Sequence, residues 1–332
     1  MDAVQALAQE FDEIRPKLVA VAYRLSGSVS DAEDAVQESW LRLAGLTGGR
    51  RAAIRDLTGW LTTVVSRICL DRLRSAAVRR ERYLGPWLPE PVVTAVESVG
   101  EDPLEIAVRD EGARMAAMVV LDKLTPEQRV AFVLHEAFSV PYTEIADILG
   151  VSPDAARQHA SRGRRALNDA QPPPRASLAE QQEVLDRFMT AVMAGDVRAV
   201  AEVLHPEVIL VGDANGKAKT ARQVVVGAAK IVRFFEGLSR MYAPGAFTAA
   251  RPVLVNGDLG FYLPAAPGTG GYRGVDEHLG VFAIRDGRIE AIYDLANPDK
   301  LTRVPNAVSR PSSDPHPAAT PEDRAQRRPP PK

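Results

Sequence analysis

Two proline-dense breaks set the first limit on what this chain can fold into. Gly85-Pro86-Trp87-Leu88-Pro89-Glu90-Pro91 carries three prolines in seven residues. Each fixes φ and removes an amide donor, so no regular helix runs through the segment. Gln171-Pro172-Pro173-Pro174-Arg175-Ala176 is a second break, with the composition of a stiff spacer. The chain of 332 residues is too long for one ordinary domain, and these breaks cut it in three. The reading is a helical unit over 1–82, a linker over 83–112, a second helical unit over 113–170, a spacer over 171–177 and a mixed unit over 178–304. A tail over 305–332, rich in Pro, Ser and charge, is expected to be disordered.

The formal net charge is only −2, so its distribution matters more than its sum. Arginines crowd residues 50–82 and again 157–165, and acids from Glu97 to Glu111 lie between them. The picture is two basic surfaces joined by an acidic connector. At 45% hydrophobic and 25% charged, the chain can bury a core in each unit. Cys69 is the single cysteine, which excludes an internal disulfide and a cysteine-rich zinc site. Its apolar setting predicts a buried structural thiol. No metal or cofactor is expected. No basic-then-apolar leader and no apolar run of about 20 residues is present, so no membrane role is expected and the cytoplasm is the default address.

In the first unit Phe11, Ile14, Leu18, Ala22 and Leu25 make one helical stripe, interrupted at Gly27. Ser30-Asp31-Ala32-Glu33 has the form of a capping box opening a second helix to about Leu43. After a Gly/Arg loop, a third helix starts near Thr58. On the second helix Ala32, Ala35, Val36 and Leu43 face inward, while Asp34, Gln37, Glu38 and Leu41 share the outer face. An exposed leucine among acids and an amide suits docking to another helix with a basic rim. Taken alone it also fits a solvated amphipathic helix.

The second unit carries the sharpest local signal. Thr125-Pro126-Glu127-Gln128 combines an N-cap, proline at the first helical position and a capping-box partner. Further on, Ile145, Ile148 and Leu149 give one helix its apolar face, Gly150 can end it in the left-handed conformation, and Ser152-Pro153-Asp154 opens the next. Ala156, Ala160, Gly163 and Leu167 are the packed side of that helix. Gln158, Ser161, Arg162 and Arg165 point away, flanked by Arg157 and Arg164. A short turn between two such helices is a helix-turn-helix, whose second helix lies in the major groove. Arg157 and Gln158 suit base edges; Arg162, Arg164 and Arg165 suit phosphates, or guanine where the tilt permits. His159 lies to the side, with no His or Cys partner for a metal.

These segments resemble a known family. Ser30-Asp-Ala-Glu-Asp-Ala-Val-Gln-Glu-Ser-Trp-Leu-Arg-Leu43 is similar to the core-binding helix of region two in group-four, extracytoplasmic-function sigma factors. Trp60–Arg74 resembles the segment that opens and holds the downstream promoter element, and Leu121–Leu167 resembles region four. The resemblance implies core RNA polymerase and promoter DNA as partners, the latter duplex at the upstream element and melted downstream. It implies core contacts at Asp34, Gln37, Glu38 and Leu41, and single-strand contacts at Thr63, Arg67, Arg72 and Arg74. Trp60 is a stacking platform or, as is commoner for a tryptophan opening an apolar helix, core.

Residues 178–304 alternate helical stretches with later antiparallel strands, including an Asp286-Gly287 hairpin signal. They resemble a SnoaL-like domain, a cone of helices in a curved sheet. The fold expected is therefore multidomain: two all-α sigma domains plus a C-terminal α+β cone. Trp87-Leu88-Pro89, Asp213-Ala-Asn-Gly-Lys217 and Asn297-Pro298-Asp299-Lys300-Leu301 resemble motifs of the sigma subgroup with this extension. In the second motif Ala214, Asn215 and Ala218 depart from that subgroup's pattern. The implication is control in cis, the cone docking on the linker in place of a separate anti-sigma protein. Trp87 packing only on its own domain is the plainer alternative. Asp213, Tyr272, Glu277, His278 and Asp294 are acid–base candidates if they face the cone's cavity, but no motif fixes a reaction and no catalytic residue is assigned. A small-molecule ligand is the better use of such a cavity. A ligand-responsive repressor and an enzyme fused to a DNA-binding module are the competing readings.

Overall fold

A computed structural model describes residues 3–80, 83–96 and 113–305. The expected tail from residue 306 onward, and the acidic stretch from Glu97 to Glu111, lie outside the described residues. The first unit is α1 (Ala3–Ser26), α2 (Val29–Ala44), the short α3 (Gly48–Ala52) within the Gly/Arg loop, and α4 (Leu57–Arg80). Phe11, Leu18, Ala22 and Leu25 of α1 are buried against Ala32, Ala35, Val36 and Leu43 of α2 and Leu61, Val65 and Ile68 of α4. The expected cap of α2 is corrected. Ser28, not Ser30, is the N-cap, its hydroxyl accepting from the Asp31 amide at 3.1 Å. Glu33 takes no part, because a carboxylate from outside the unit, Glu90, fills the helix start instead. Cys69 is buried and its thiol is pushed up to about 12 by burial.

The second unit is α5 (Met115–Leu121), α6 (Pro126–Phe138), α7 (Tyr142–Leu149) and α8 (Pro153–Ala170). The Thr125–Gln128 capping box forms in both directions. Gly150 ends α7 at φ +70°, and Ser152 caps α8 by accepting from the Ala155 amide at 3.2 Å. The helix-turn-helix read from the sequence is present. Gly163 lets α8 lie on α6: a methyl group there would stand 2.7 Å from Phe132 Cβ.

The third unit is α9 (Leu178–Ala194), α10 (Val197–Val203), β2 (Leu204–Asp213), β3 (Val225–Val226), α11 (Ala228–Met241), β4 (Arg251–Val255), β5 (Asp258–Leu263), β6 (His278–Arg285) and β7 (Arg288–Leu295), followed by one 3-10 turn over Pro298–Lys300. Among the described residues its sheet has seven strands, but one of the two at its edges, β1 (Val93–Ala95), comes from the segment read as linker. The order is β1-β4-β5-β6-β7-β2-β3, antiparallel except for the β2–β7 pair. Both hairpins at Asn256-Gly257 and Asp286-Gly287 have positive φ at the two turn residues, which suits the right-handed strand twist.

The sheet is apolar on both faces. Leu259, Phe261, Phe282 and Ile292 pack under α9 and α11, while Tyr262, Leu279, Val281 and Tyr293 point the other way. That second face is extended by Val93 of β1 and covered by Leu88 of the linker and by Met115 and Ala116 of α5. The two helical units in turn share one core, with Phe11 to Leu73 of the first continuous with Met118 to Ala160 of the second. The cone is thus built onto the rest of the molecule through its outer sheet face.

Candidate interdomain junction and nucleic-acid surfaces

On α2, Asp34, Gln37 and Leu41 are exposed and Glu38 is half-buried, so the four residues form the expected outer face. Leu41 is 62% exposed. Glu38 bonds Arg42 at 2.6 Å and lies 3.6 Å from Arg72. On α8, Arg157, Gln158, Ser161, Arg162, Arg164 and Arg165 are all exposed. Arg157 pairs with Asp154 at 3.1 Å and lies over the Tyr142 ring, while Arg164 pairs with Glu136. Ala156, Ala160 and Gly163 are buried beneath them. The four residues expected at melted DNA divide differently. Thr63 is half-buried, and Arg72 is held within its own unit by the Asp31 carbonyl at 2.8 Å. Arg67 instead donates to the Asp147 carbonyl of α7 at 2.8 Å, and Arg74 binds Glu127 of α6 at 2.9 Å. Burial works against the Glu127 charge, yet its own backbone amide and Arg74 hold its carboxyl below the usual range. Trp60 is half-buried against the shared core, as the core alternative predicts.

The linker lies between the cone and the first unit and bonds both. On the cone side, the fully buried Asp213 carboxylate accepts from the Leu88 amide at 2.7 Å, from Lys300 at 2.6 Å and from the Tyr83 hydroxyl. Lys300 also donates to the Leu88 carbonyl and sits 4.1 Å from the Trp87 ring centre. Asn297 donates to the Tyr83 hydroxyl at 2.8 Å and caps the turn that carries Lys300. Leu88 is fully buried against the sheet. Burial, then the adjoining Asp213 carboxylate, pushes the Tyr83 phenol well above its ordinary value. Lys217 pairs with Asp299, fastening the 213–217 turn to the same corner. The departure at Asn215 is accommodated: it sits at φ +47°, a conformation asparagine tolerates, and its side chain accepts from the Leu84 amide at 3.2 Å.

On the other side, Glu90 enters the start of α2. Its carboxylate accepts from the Val29 amide at 2.8 Å and the Ser28 hydroxyl at 2.9 Å, which is where a helix favours negative charge. The Glu90 amide donates to the Gly27 carbonyl at 2.8 Å, and the Tyr23 hydroxyl donates to the Glu90 carbonyl at 2.7 Å. Gly27, at φ +73°, leaves room for the Trp87 ring. Asn256 of the β4–β5 turn completes the node, accepting from the Val92 amide at 3.0 Å and donating to Tyr23 and to the Ala113 carbonyl. Arg303 then reaches from the cone to Glu33 on α2 at 2.6 Å. Tyr23, Tyr83, Glu90, Asn256 and Arg303 were not singled out from the sequence. Only the Asn256-Gly257 hairpin pair carried a readable signal, since the rest are contacts between segments distant along the chain.

Of the five acid–base candidates only His278 and Asp294 line the cavity of the cone. Asp213 belongs to the junction, Glu277 accepts from the Tyr262 hydroxyl at 2.7 Å, and Tyr272 is exposed. Among the described residues no helix is long and apolar enough to cross a membrane.

Comparison with known proteins agrees with this arrangement. Residues 11–79 match sigma-70 region 2, residues 114–167 match sigma-70 region 4, and residues 185–292 match the SnoaL-like domain. The ECF RNA polymerase sigma factor SigJ of Mycobacterium tuberculosis is 51% identical over 298 residues, 89% of this chain and 93% of that protein. SigI of the same organism, a probable ECF sigma factor, is 37% identical over 65% of this chain and 71% of its own length. The crystal structure of M. tuberculosis SigJ superimposes with a TM-score of 0.75 at 48% identity, covering 90% of this chain and 99% of that one. A region-two domain ahead of the helix-turn-helix removes the repressor reading, which has no use for one. The chain belongs to the extracytoplasmic-function family of RNA polymerase sigma factors, non-enzymatic subunits that direct transcription initiation, and it carries a C-terminal SnoaL-like domain.

Proposed function

We propose that this sigma factor is controlled in cis, the C-terminal domain gripping the linker and thereby holding the two promoter-binding units against each other. The observation that carries the reading is the fully buried Asp213 carboxylate receiving the Leu88 amide and Lys300 at once. A charge buried this deeply is tolerated only when paired and hydrogen-bonded, so the grip is a specific state rather than a chance contact. In that state Arg67 and Arg74 are spent on region 4, whereas α8 and the outer face of α2 stay open. Core RNA polymerase engages Asp34, Gln37, Glu38 and Leu41. The helix-turn-helix reads the duplex upstream element through Arg157 and Gln158, with Ser161, Arg162, Arg164 and Arg165 on the backbone. Thr63, Arg67, Arg72 and Arg74 take the melted downstream strand once region 4 has moved away. Residues 1–82, 113–170 and 178–304 act as the three units of this switch. It works in the cytoplasm, where the polymerase is, and needs no separate anti-sigma protein.

Run-off transcription with core polymerase tests the scheme. Lys300→Ala, which loosens the grip, changes output by about fivefold or more, while Asp34→Ala/Glu38→Ala/Leu41→Ala no longer co-elutes with core polymerase. Wild-type output from the Lys300 variant removes the regulatory reading. Undiminished co-elution of the triple variant removes the docking face.

A further inference from the structure

The cavity of the cone is enclosed by rings at one end and polar at the other. Phe188, Phe234, Phe235, Phe261 and Phe282 line it, and its volume is about 140 Å³. An apolar cavity of about 150 Å³ takes a benzene ring. At the polar end His278 Nδ1 lies 2.8 Å from Asp294, whose other oxygen accepts from the Thr220 hydroxyl at 2.5 Å. Both Asp294 oxygens are thereby occupied, and the second imidazole nitrogen of His278 is the one left for a guest. Burial opposes a charge on His278, but the Asp294 carboxylate outweighs it, with Asp276 and Glu277 adding, and the imidazole binds its proton more firmly than usual. With Nδ1 on Asp294, Nε2 is the ring atom left to bond a guest's hydroxyl at this cavity-lining residue. Lys219 lines the same cavity.

This polar end is joined to the linker grip along two short stretches of chain. Asp294 is the register partner of Gly212, and Leu295 that of Asp213. The Ala296 amide donates to the Asp213 carbonyl at 2.7 Å, and from there β7 runs straight into Asn297 and Lys300, both gripping the linker side. On the other side Thr220 closes the 213–221 turn whose first residue is Asp213 and whose Asn215 holds Leu84. His278, Asp294 and Thr220 are thereby connected to both sides of the grip.

We propose that the cavity is a sensory site for a planar ring molecule bearing one hydroxyl, a phenol, which docks its oxygen on His278 Nε2 and whose occupancy shifts the Asp213–Lys300 grip on the linker. The coupling part rests on the self-regulation proposed above. The aromatic walls favour a flat ring packed edge to face, and the polar groups gathered at one end fix which way it enters. Coupling between two sites is reciprocal: if occupancy alters the grip, loosening the grip alters the affinity by the same factor.

Fluorine NMR of 4-fluorophenol binding to the full chain tests this, with fluorobenzene as the same ring lacking the oxygen. The expected result is that 4-fluorophenol binds about fivefold or more tightly than fluorobenzene. His278→Phe should bring the two together, and Leu238→Trp, at the half-buried cavity wall, should abolish both. Lys300→Ala, remote from the cavity, should shift the 4-fluorophenol Kd by about fivefold. No binding of either probe, no preference for the phenol, or full binding by Leu238→Trp overturns the site. An unchanged Kd in Lys300→Ala overturns the coupling. If His278→Phe does not fold, the phenol preference of the wild type and the Leu238 variant decide. Transcription plays no part in these measurements, so their failure and failure of the regulatory scheme are told apart.

Discussion

Asp213 is fully buried, and its two oxygens serve a backbone amide, an ammonium and a phenol. Asn at this position keeps the shape, removes the charge and turns one acceptor into a donor facing a donor. Breaking a buried pair this way costs about 3–5 kcal/mol. The loss appears first as local opening, so exchange of the Leu88 amide, read by hydrogen-exchange mass spectrometry, should quicken by roughly a hundredfold or more in Asp213→Asn. Exchange at the wild-type rate means the carboxylate does not hold the linker. The His278–Asp294 pair behaves differently because it titrates. Burial works against the Asp294 charge, but His278 and the Thr220 hydroxyl lower its carboxyl, while His278 itself is raised. A depressed carboxyl stabilises above its unfolded titration and loses that contribution in acid. A raised imidazole stabilises below its unfolded titration and loses it as pH climbs through the raised value. The pair therefore contributes most at about pH 5 to 6. The difference in thermal stability between the wild type and His278→Gln should be largest there and shrink above neutrality; a difference that grows with pH contradicts the pairing.

At the scale of elements, β1 is the piece whose role is least apparent from its own residues. Val93-Thr94-Ala95 pairs with Val255-Leu254-Val253, and the Asn256 amide donates to the Val92 carbonyl at 2.9 Å. Thr94 lies two residues further along this antiparallel ladder and so falls in a hydrogen-bonded pair again. Thr94→Pro removes that donor and should cost about 1–3 kcal/mol, freeing the segment around Trp87 to protease. Resistance equal to the wild type means that side-chain packing alone holds the strand. The helices were legible because each carries its own instructions: the Thr125 capping box, Gly150, Ser152-Pro153 and the small residues under α8 are all local. Strands β6 and β7 were legible from the Asp286-Gly287 turn. The cap of α2 was misplaced because its true partner, Glu90, is sixty-one residues from Val29. The linker strand was missed because the prolines around it announce only that no helix forms. Yet Leu279-Gly280-Val281-Phe282-Ala283-Ile284 is apolar at both alternating positions, which says that this sheet must be covered twice. That pattern leaves the cover unnamed, and Leu88 and Met115 emerge as the cover only when the chain is folded.

For the whole molecule, the consequence is a closed sigma factor whose two promoter-binding units share one core. Arg67 and Arg74 bridge it, each occupied by region 4, while the outward residues of α8 remain open. Affinity for nucleic acid depends on how many phosphates the protein neutralises, and each adds a salt dependence of about 0.7 to 0.9 in log–log slope. Under the proposed scheme, loosening the grip with Lys300→Ala should let region 4 separate from region 2 and return two arginines to the downstream strand. The free factor should then bind a promoter fragment with an unpaired downstream element about tenfold more tightly, a gain of about 1.4 kcal/mol. Its salt slope should steepen by roughly 1.5. Fluorescence anisotropy between about 50 and 200 mM salt measures both quantities. A fully paired upstream fragment is the internal control, because α8 is exposed in either state and its binding should not change. Equal slopes for the variant and the wild type on the melted fragment mean that the shared core, not the linker grip, keeps the units together. A gain of equal size on both fragments means that the substitution acts through overall charge rather than through the two arginines.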